Sequence, residues 1–146
     1  MTDSPIPSVT AMLVCDQIIT EQITNKKSLI GVFENFNSQS FPVPLSRLAV
    51  YVKMADAVGD YQLKLRLVKL KDEALVAEFA VQMTVVDSSK YAELGININN
   101  VIIIPEAGKY EFQLYAGDYY LHRVTMQAVL AQSPQTGGGT QWPLPS

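Results

Sequence analysis

The chain predicts an all-β fold, an immunoglobulin-like antiparallel β-sandwich of about 7–9 strands, and three observations carry that prediction. First, every second residue is apolar in Tyr61, Leu63, Leu65 and Leu67, with Gln62, Lys64 and Arg66 in the gaps. The same period returns in Leu75, Ala77, Phe79, Val81, Met83 and Val85, beyond the polar break Lys71-Asp72-Glu73. A period of two on both sides of a short charged connection is the mark of an antiparallel hairpin with one oily face. Second, apolar runs alternate with turn residues at short spacing, and no helical pattern of about 10–15 residues separates them, which argues against alternating α/β. Third, Glu106-Ala107-Gly108-Lys109-Tyr110-Glu111-Phe112 places a turn before Tyr-x-apolar. That is the arrangement of a tyrosine corner, whose phenol bonds back to upstream backbone.

Taken in order, residues 1–8 hold two prolines and small polar residues and read as an extended arm. Val9 to Cys15 is apolar enough for a first strand, closed by Asp16. Gln17 to Lys27 reads as a bent strand or a loop, with a turn at Asn25-Lys26. Ser28 to Phe33 forms a second strand, where Gly31 signals a bulge or a close backbone approach. Asn35 to Pro44, with Ser38, Ser40, Pro42 and Pro44, is expected to cross as a loop. Leu48, Val50, Val52 and Met54 alternate with Ala49, Tyr51 and Lys53 in a third strand, and Ala55 to Gly59 turns into the opening hairpin. Asp87-Ser88-Ser89-Lys90 breaks the chain before a strand carrying Leu94, Ile96 and Ile98. Val101-Ile102-Ile103-Ile104 is the most aggregation-prone window, stopped by Pro105-Glu106. Tyr110, Phe112 and Leu114 point one way. After the turn at Ala116-Gly117-Asp118, Tyr120, His122, Val124, Met126 and Ala128 form the last strand. The expected organisation is therefore an arm over 1–8, one domain over 9–131, and a Gly/Pro-rich tail over 132–146 with no core-building pattern.

At 146 residues, 48% hydrophobic and 17% charged, the composition is globular and far from disorder. Net charge is −3 with cations and acids interspersed. Phosphate neutralisation needs a basic stripe, so no nucleic-acid partner is expected. Cys15 is the only cysteine and His122 the only histidine, which excludes an internal disulfide and the common zinc sites. No apolar run approaches the ~20 residues of a membrane span, and Met1 to Pro7 lacks the basic and apolar regions of a secretory signal. A cytoplasmic, reducing setting is the expectation.

Several stretches resemble a family of small bacterial proteins classed as a domain of unknown function. They are Met12-Leu13-Val14-Cys15-Asp16, Ser28-Leu29-Ile30-Gly31-Val32-Phe33, Phe41-Pro42, Gly59-Asp60-Tyr61, and Pro105 to Phe112 with the hairpin that follows. The similarity runs from Ala11 to Val129. The resemblance implies a bacterial, cytosolic, compact β domain and hands over no catalytic residue.

Chemistry is sparse. His122 shares its phase with Val124 and Met126, which puts it on the apolar side or at the strand mouth beside Tyr119 and Tyr120. Cys15 becomes a nucleophile only if His122 reaches it across neighbouring first and last strands; in an apolar strand a free thiol is a small hydrophobe. Asp56 and Asp60 flank a turn, and Asp16, Asp87 or Asp118 at the same end would add oxygens for Ca²⁺, although Asp is common in turns for its own hydrogen bonds. Gly137-Gly138-Gly139 lacks the lysine and helix of a phosphate loop. Tyr51, Tyr91, Tyr115, Tyr119 and Tyr120 are candidates for an aromatic platform, because tyrosine buries area while keeping a polar tip. Trp142-Pro143-Leu144-Pro145 resembles a docking peptide tethered by glycines. The expected function is a non-enzymatic protein-interaction or assembly module, without cofactor. It would act on a protein partner or another copy through sheet faces, an edge strand or Trp142. The alternative is a small-ligand binder for carbohydrate or Ca²⁺.

Overall fold

The computed structural model describes residues 4–99 and 101–131, and among them the chain is all-β, with eleven strands. In chain order these are β1 (Ser8–Thr20), β2 (Lys27–Val32), β3 (Asn35–Ser38), β4 (Val43–Leu45), β5 (Leu48–Ala55), β6 (Gly59–Lys69), β7 (Ala74–Val85), β8 (Ala92–Ile98), β9 (Ile102–Ile104), β10 (Gly108–Ala116) and β11 (Tyr119–Leu130). They build a four-stranded sheet ordered β2-β1-β5-β8, a five-stranded sheet ordered β3-β11-β10-β6-β7, and the pair β4-β9. The sheet assembly curls like half a barrel. No helix among the described residues is long and apolar enough to cross a membrane.

One core lies between the two larger sheets. Met12, Val14, Val50, Val52 and Met54 enter it from the first, and Leu63, Leu65, Leu67, Phe112, Leu114 and Met126 from the second. The hairpin of β6 and β7 forms where the alternation placed it, with Leu65 opposite Phe79 and Leu63 opposite Val81. One residue departs from the pattern. The register shifts between Leu67 and Val68, so Val76 is the extra residue of a bulge and packs on the core while Leu75 is left 49% exposed. Such an insertion exchanges the two faces of a strand locally.

The tyrosine corner is present. The Tyr110 phenol, fully buried, donates to the Glu106 carbonyl at 2.7 Å and accepts from the Glu106 amide at 3.3 Å. Tyr61 does similar work at the opposite end of the sheet. Its phenol bonds the Pro5 carbonyl at 2.6 Å and the Val58 amide at 3.0 Å, fastening the described part of the N-terminal arm. Burial pushes the Tyr110 phenol up from its ordinary pKa, as expected of a hydroxyl whose neutral form is the one held.

Two expectations about the first sheet are corrected. The first strand does not close at Asp16; β1 runs on to Thr20, pairing Gln17 with Ile30 and Ile18 with Leu29. It can pass because Gly31, opposite Asp16, sits at φ +70°, and a Cβ there would lie 2.4 Å from Asp16 Oδ2. Beyond Cys15, the last partner of β5, β1 lies over the outer side of its own sheet. Ile18 settles against Gly95, where an added Cβ would meet its Cγ2 at 3.0 Å. The Asn97 side chain accepts from the Ile18 amide at 3.0 Å and donates to the Ile18 carbonyl at 3.1 Å. Cys15, Ile18, Ala49 and Tyr51 thereby form a second, smaller cluster. That is why β5 is buried on both faces, although its alternation predicted only one.

Further corrections concern the short strands and the last strand. The segment from Asn35 to Pro44 is not simply a loop, since β3 pairs in parallel with β11 and β4 pairs antiparallel with β9. The apolar window at 101–104 is consumed by that second pairing, with Ile102 and Ile104 buried and Ile103 half-exposed. In β11 the register shifts where Leu114 opposes His122 and Tyr115 opposes Tyr120. Leu121 is the extra residue and reaches the core, so Tyr120 falls out of phase with Val124 and Met126; His122 keeps that phase, in register with Leu114, and is exposed beside the bulge.

Candidate functional site

The face of the five-stranded sheet turned away from the core carries a connected set of polar groups. Register fixes their order. Arg66 lies opposite Glu78 on β7 and Gln113 on β10, and Gln113 lies opposite Arg123 on β11. These four side chains make one transverse row across four strands, because residues in register point to the same side of a sheet. The rows to either side are Lys64–Tyr115–Tyr120 and Val68–Glu111–Thr125.

Glu111 is the one buried charged residue among the described residues, 6% exposed between Val68 and Thr125. It accepts from Gln113 Nε2 at 3.0 Å and stands 3.6 Å from Arg123 Nη1. Arg66 Nε stands 3.4 Å from Glu78 Oε1, close enough for an ion pair but misaligned for a hydrogen bond, so that buried nitrogen lacks an acceptor. Both contacts are longer than the roughly 2.7–2.9 Å of a fully formed charge-assisted bond. The two guanidiniums are held in place yet keep donor capacity, of which Arg carries five N–H groups. Arg66 also lies 6.0 Å from the centre of the Tyr115 ring, and Tyr120 meets that ring edge-on at 5.7 Å.

Between these side chains run two open grooves that share Arg66 and Tyr115. One, of about 490 Å³, is floored by Glu111 and Gln113 and flanked by Val68 and Arg123. The other, of about 350 Å³, reaches Lys64, Glu78 and Asp118. Neither is lined by histidine, cysteine, serine or threonine. The arrangement offers planar donors, a carboxylate and aromatic edges, which is equipment for recognition.

The residues singled out from sequence are scattered. Tyr115 and Tyr120 meet on this face. Tyr119, 56% exposed, borders a separate recess with Pro5 and Ile6. Tyr51 is buried in the other sheet beneath β1 and donates to Glu93. Burial, and then the hydrogen bond and charge of Glu93, push its phenol up to about 12. Tyr91 is exposed near it, with Lys53 Nζ 4.6 Å from the ring centre. The five tyrosines do not share one platform. Trp142 lies outside the described residues.

Cys15 and His122 belong to different sheets. Cys15 is fully buried, its thiol donates to the Gln17 carbonyl at 3.5 Å, and burial is the first cause of its raised pKa. His122 is exposed beside the bulge. Asp60 Oδ1 accepts from Thr84 at 2.7 Å, and Asp56 is exposed at φ +61°. Among the described residues no three His, Cys, Asp or Glu side chains are grouped around one point.

The row Glu78–Arg66–Gln113–Arg123 was missed by reading the sequence. Its only signal is that long polar side chains occupy the outward phase of four strands, and sequence does not reveal which strands are neighbours.

The pattern of a family of unknown function (DUF6941) matches residues 10–129, and the chain belongs to that family. No curated protein matches it.

Proposed function

We propose, from membership of that family and the geometry above, that this chain is a non-enzymatic interaction module whose protein partner docks on the outer face of the five-stranded sheet. The observation that carries the proposal is the pair Arg66 and Arg123, straddling Gln113 with guanidinium donors only loosely engaged by Glu78 and Glu111. Arginine and tyrosine are the side chains enriched at interface centres, and this face sets both together. In this reading the two large sheets are the layers of an immunoglobulin-like sandwich, supported by the bond from Tyr110 to the Glu106 carbonyl. A reducing, cytoplasmic setting is supported by the single buried thiol.

The test is partner capture by the full chain and by its Arg66→Glu, Arg123→Glu double variant, with Lys53→Glu on the other sheet as control. Loss of the captured protein in the double variant alone is the expected result. Equal capture by all three overturns the proposal.

A second reading, a carbohydrate-binding face, is favoured by the 490 Å³ groove, which falls within the roughly 300–1,000 Å³ of small-molecule sites. Thermal shift against a glycan panel separates the two, because specific binding raises apparent stability by mass action. The Ca²⁺ form of that reading would rest on Asp56 and Asp60 and is tested in the same panel.

A further inference from the structure

We propose that β7 pairs antiparallel, edge to edge, with β7 of a second copy of this chain, joining two five-stranded sheets into one continuous sheet. The proposal is independent of the face described above, since either surface can fail without the other.

The argument begins with how the sheet edges are protected. An unpaired edge strand is a template for another chain, and proteins blunt it with lysine, proline, kinks or short length. Among the described residues β3 is four residues long, β2 carries Lys27 and the left-handed Gly31, and β8 carries Glu93 and an Asn97 already bonded to Ile18. β7 bends at the Val76 bulge and carries one charge, Glu78, but from Ala77 to Val85 it runs nine residues without lysine, proline or kink. It spans twelve residues, ends its sheet, and contains neither lysine nor proline. Its core-side row, Ala77, Phe79, Val81, Met83 and Val85, is only half-buried. A strand of that length presents a strip of about 40 Å.

The strand is also complementary to itself. A two-fold axis at Ala80 sets Phe79 against the partner's Val81, Ala77 against the partner's Met83, and Glu78 against the partner's Gln82. Large faces small on the core side. The only charge in the strand, Glu78, meets a neutral amide, and no like charges are opposed. The axis itself falls on a small exposed residue, where the two copies' side chains are closest.

Sedimentation velocity on the full chain, from about 1 to 100 μM, the range in which micromolar association is read, tests this. The wild-type protein is expected to dimerise. Gln82→Glu, which faces the partner's Glu78 twice by symmetry, should weaken the dimer about fivefold, and Gln82→Lys should tighten it by a similar factor. Ala80→Lys should be monomeric alone and should form heterodimers when mixed with Ala80→Glu. Both sites of substitution are exposed, and circular dichroism checks that each variant retains the sheet. A wild-type chain that stays monomeric throughout overturns the proposal. So does a dimer indifferent to the sign of charge at residue 82, which would place the contact elsewhere.

Discussion

Removing one oxygen from Tyr110 tests whether the corner, and not the ion pairs around it, fixes the turn that launches β10. In Tyr110→Phe the ring stays in the core beside Phe112, so no cavity follows. Two bonds are lost, at 2.7 Å to the Glu106 carbonyl and at 3.3 Å from its amide. A net contribution near 1 kcal/mol for the shorter bond, a smaller one for the longer, and the cost of polar groups left unpaired give about 1.5–3 kcal/mol. For a domain of this size that is a fall in Tm of about 6–12 °C. The neighbouring tether is Lys69, whose Nζ lies 3.4 Å from Glu106 and 3.2 Å from Asp72, partners that are about half exposed. Pairs of that kind contribute about 0–1 kcal/mol, so Lys69→Met should cost less than Tyr110→Phe. Urea denaturation measures both, and an unchanged slope shows that stability and not compactness has altered. A Tyr110→Phe loss below about 0.5 kcal/mol, or a Lys69→Met loss exceeding it, refutes the reasoning.

Gly31→Ala should destabilise by about 1–3 kcal/mol, because φ +70° disfavours any Cβ and this one would strike Asp16; Asp16→Ala should recover part of the loss, leaving the backbone share. The raised pKa of Tyr51, about 12 in the folded chain, means the folded state holds that proton more tightly than the unfolded state, whose phenol titrates near 10. Stability from this site is therefore complete below pH ~10 and is lost as pH rises toward about 12, and Tyr51→Phe should flatten that slope in chemical denaturation. Cys15 should resist thiol reagents in the native chain and react fully once denaturant is added; native labelling at the rate of free cysteine contradicts its placement.

Much of this architecture is legible residue by residue. The β6–β7 hairpin announces itself because its core side is apolar at nearly every second position, and Tyr110 because a turn before Tyr-x-apolar has one common structural use. Gly31 marks a real close approach. What stays hidden has a physical reason in each case. Alternation assumes one residue per step, so the extra residues Val76 and Leu121 move Leu75 and Tyr120 to faces the period does not assign them. β3 and β4 are short and lie among serines and prolines, and their partners are distant in sequence. The burial of Tyr51 depends on β1 continuing over its own sheet, which no local pattern encodes. The candidate face is hidden for a related reason: Arg66, Gln113 and Arg123 become neighbours only when strand order is known.

Asn97 bears on how the molecule assembles. Where β1 parts from β5, a single carboxamide 79 residues further along the chain offers Ile18 both halves of the bonding that a neighbouring backbone would give. The far half of the first hairpin therefore cannot be fully sealed until synthesis and folding have delivered β8. In a deuterium-exchange time course, the Ile18 amide should gain its shielding with the 92–98 segment and not with residues 9–15. Asn97→Ala should unfasten that one amide while the centre of the molecule stays shut.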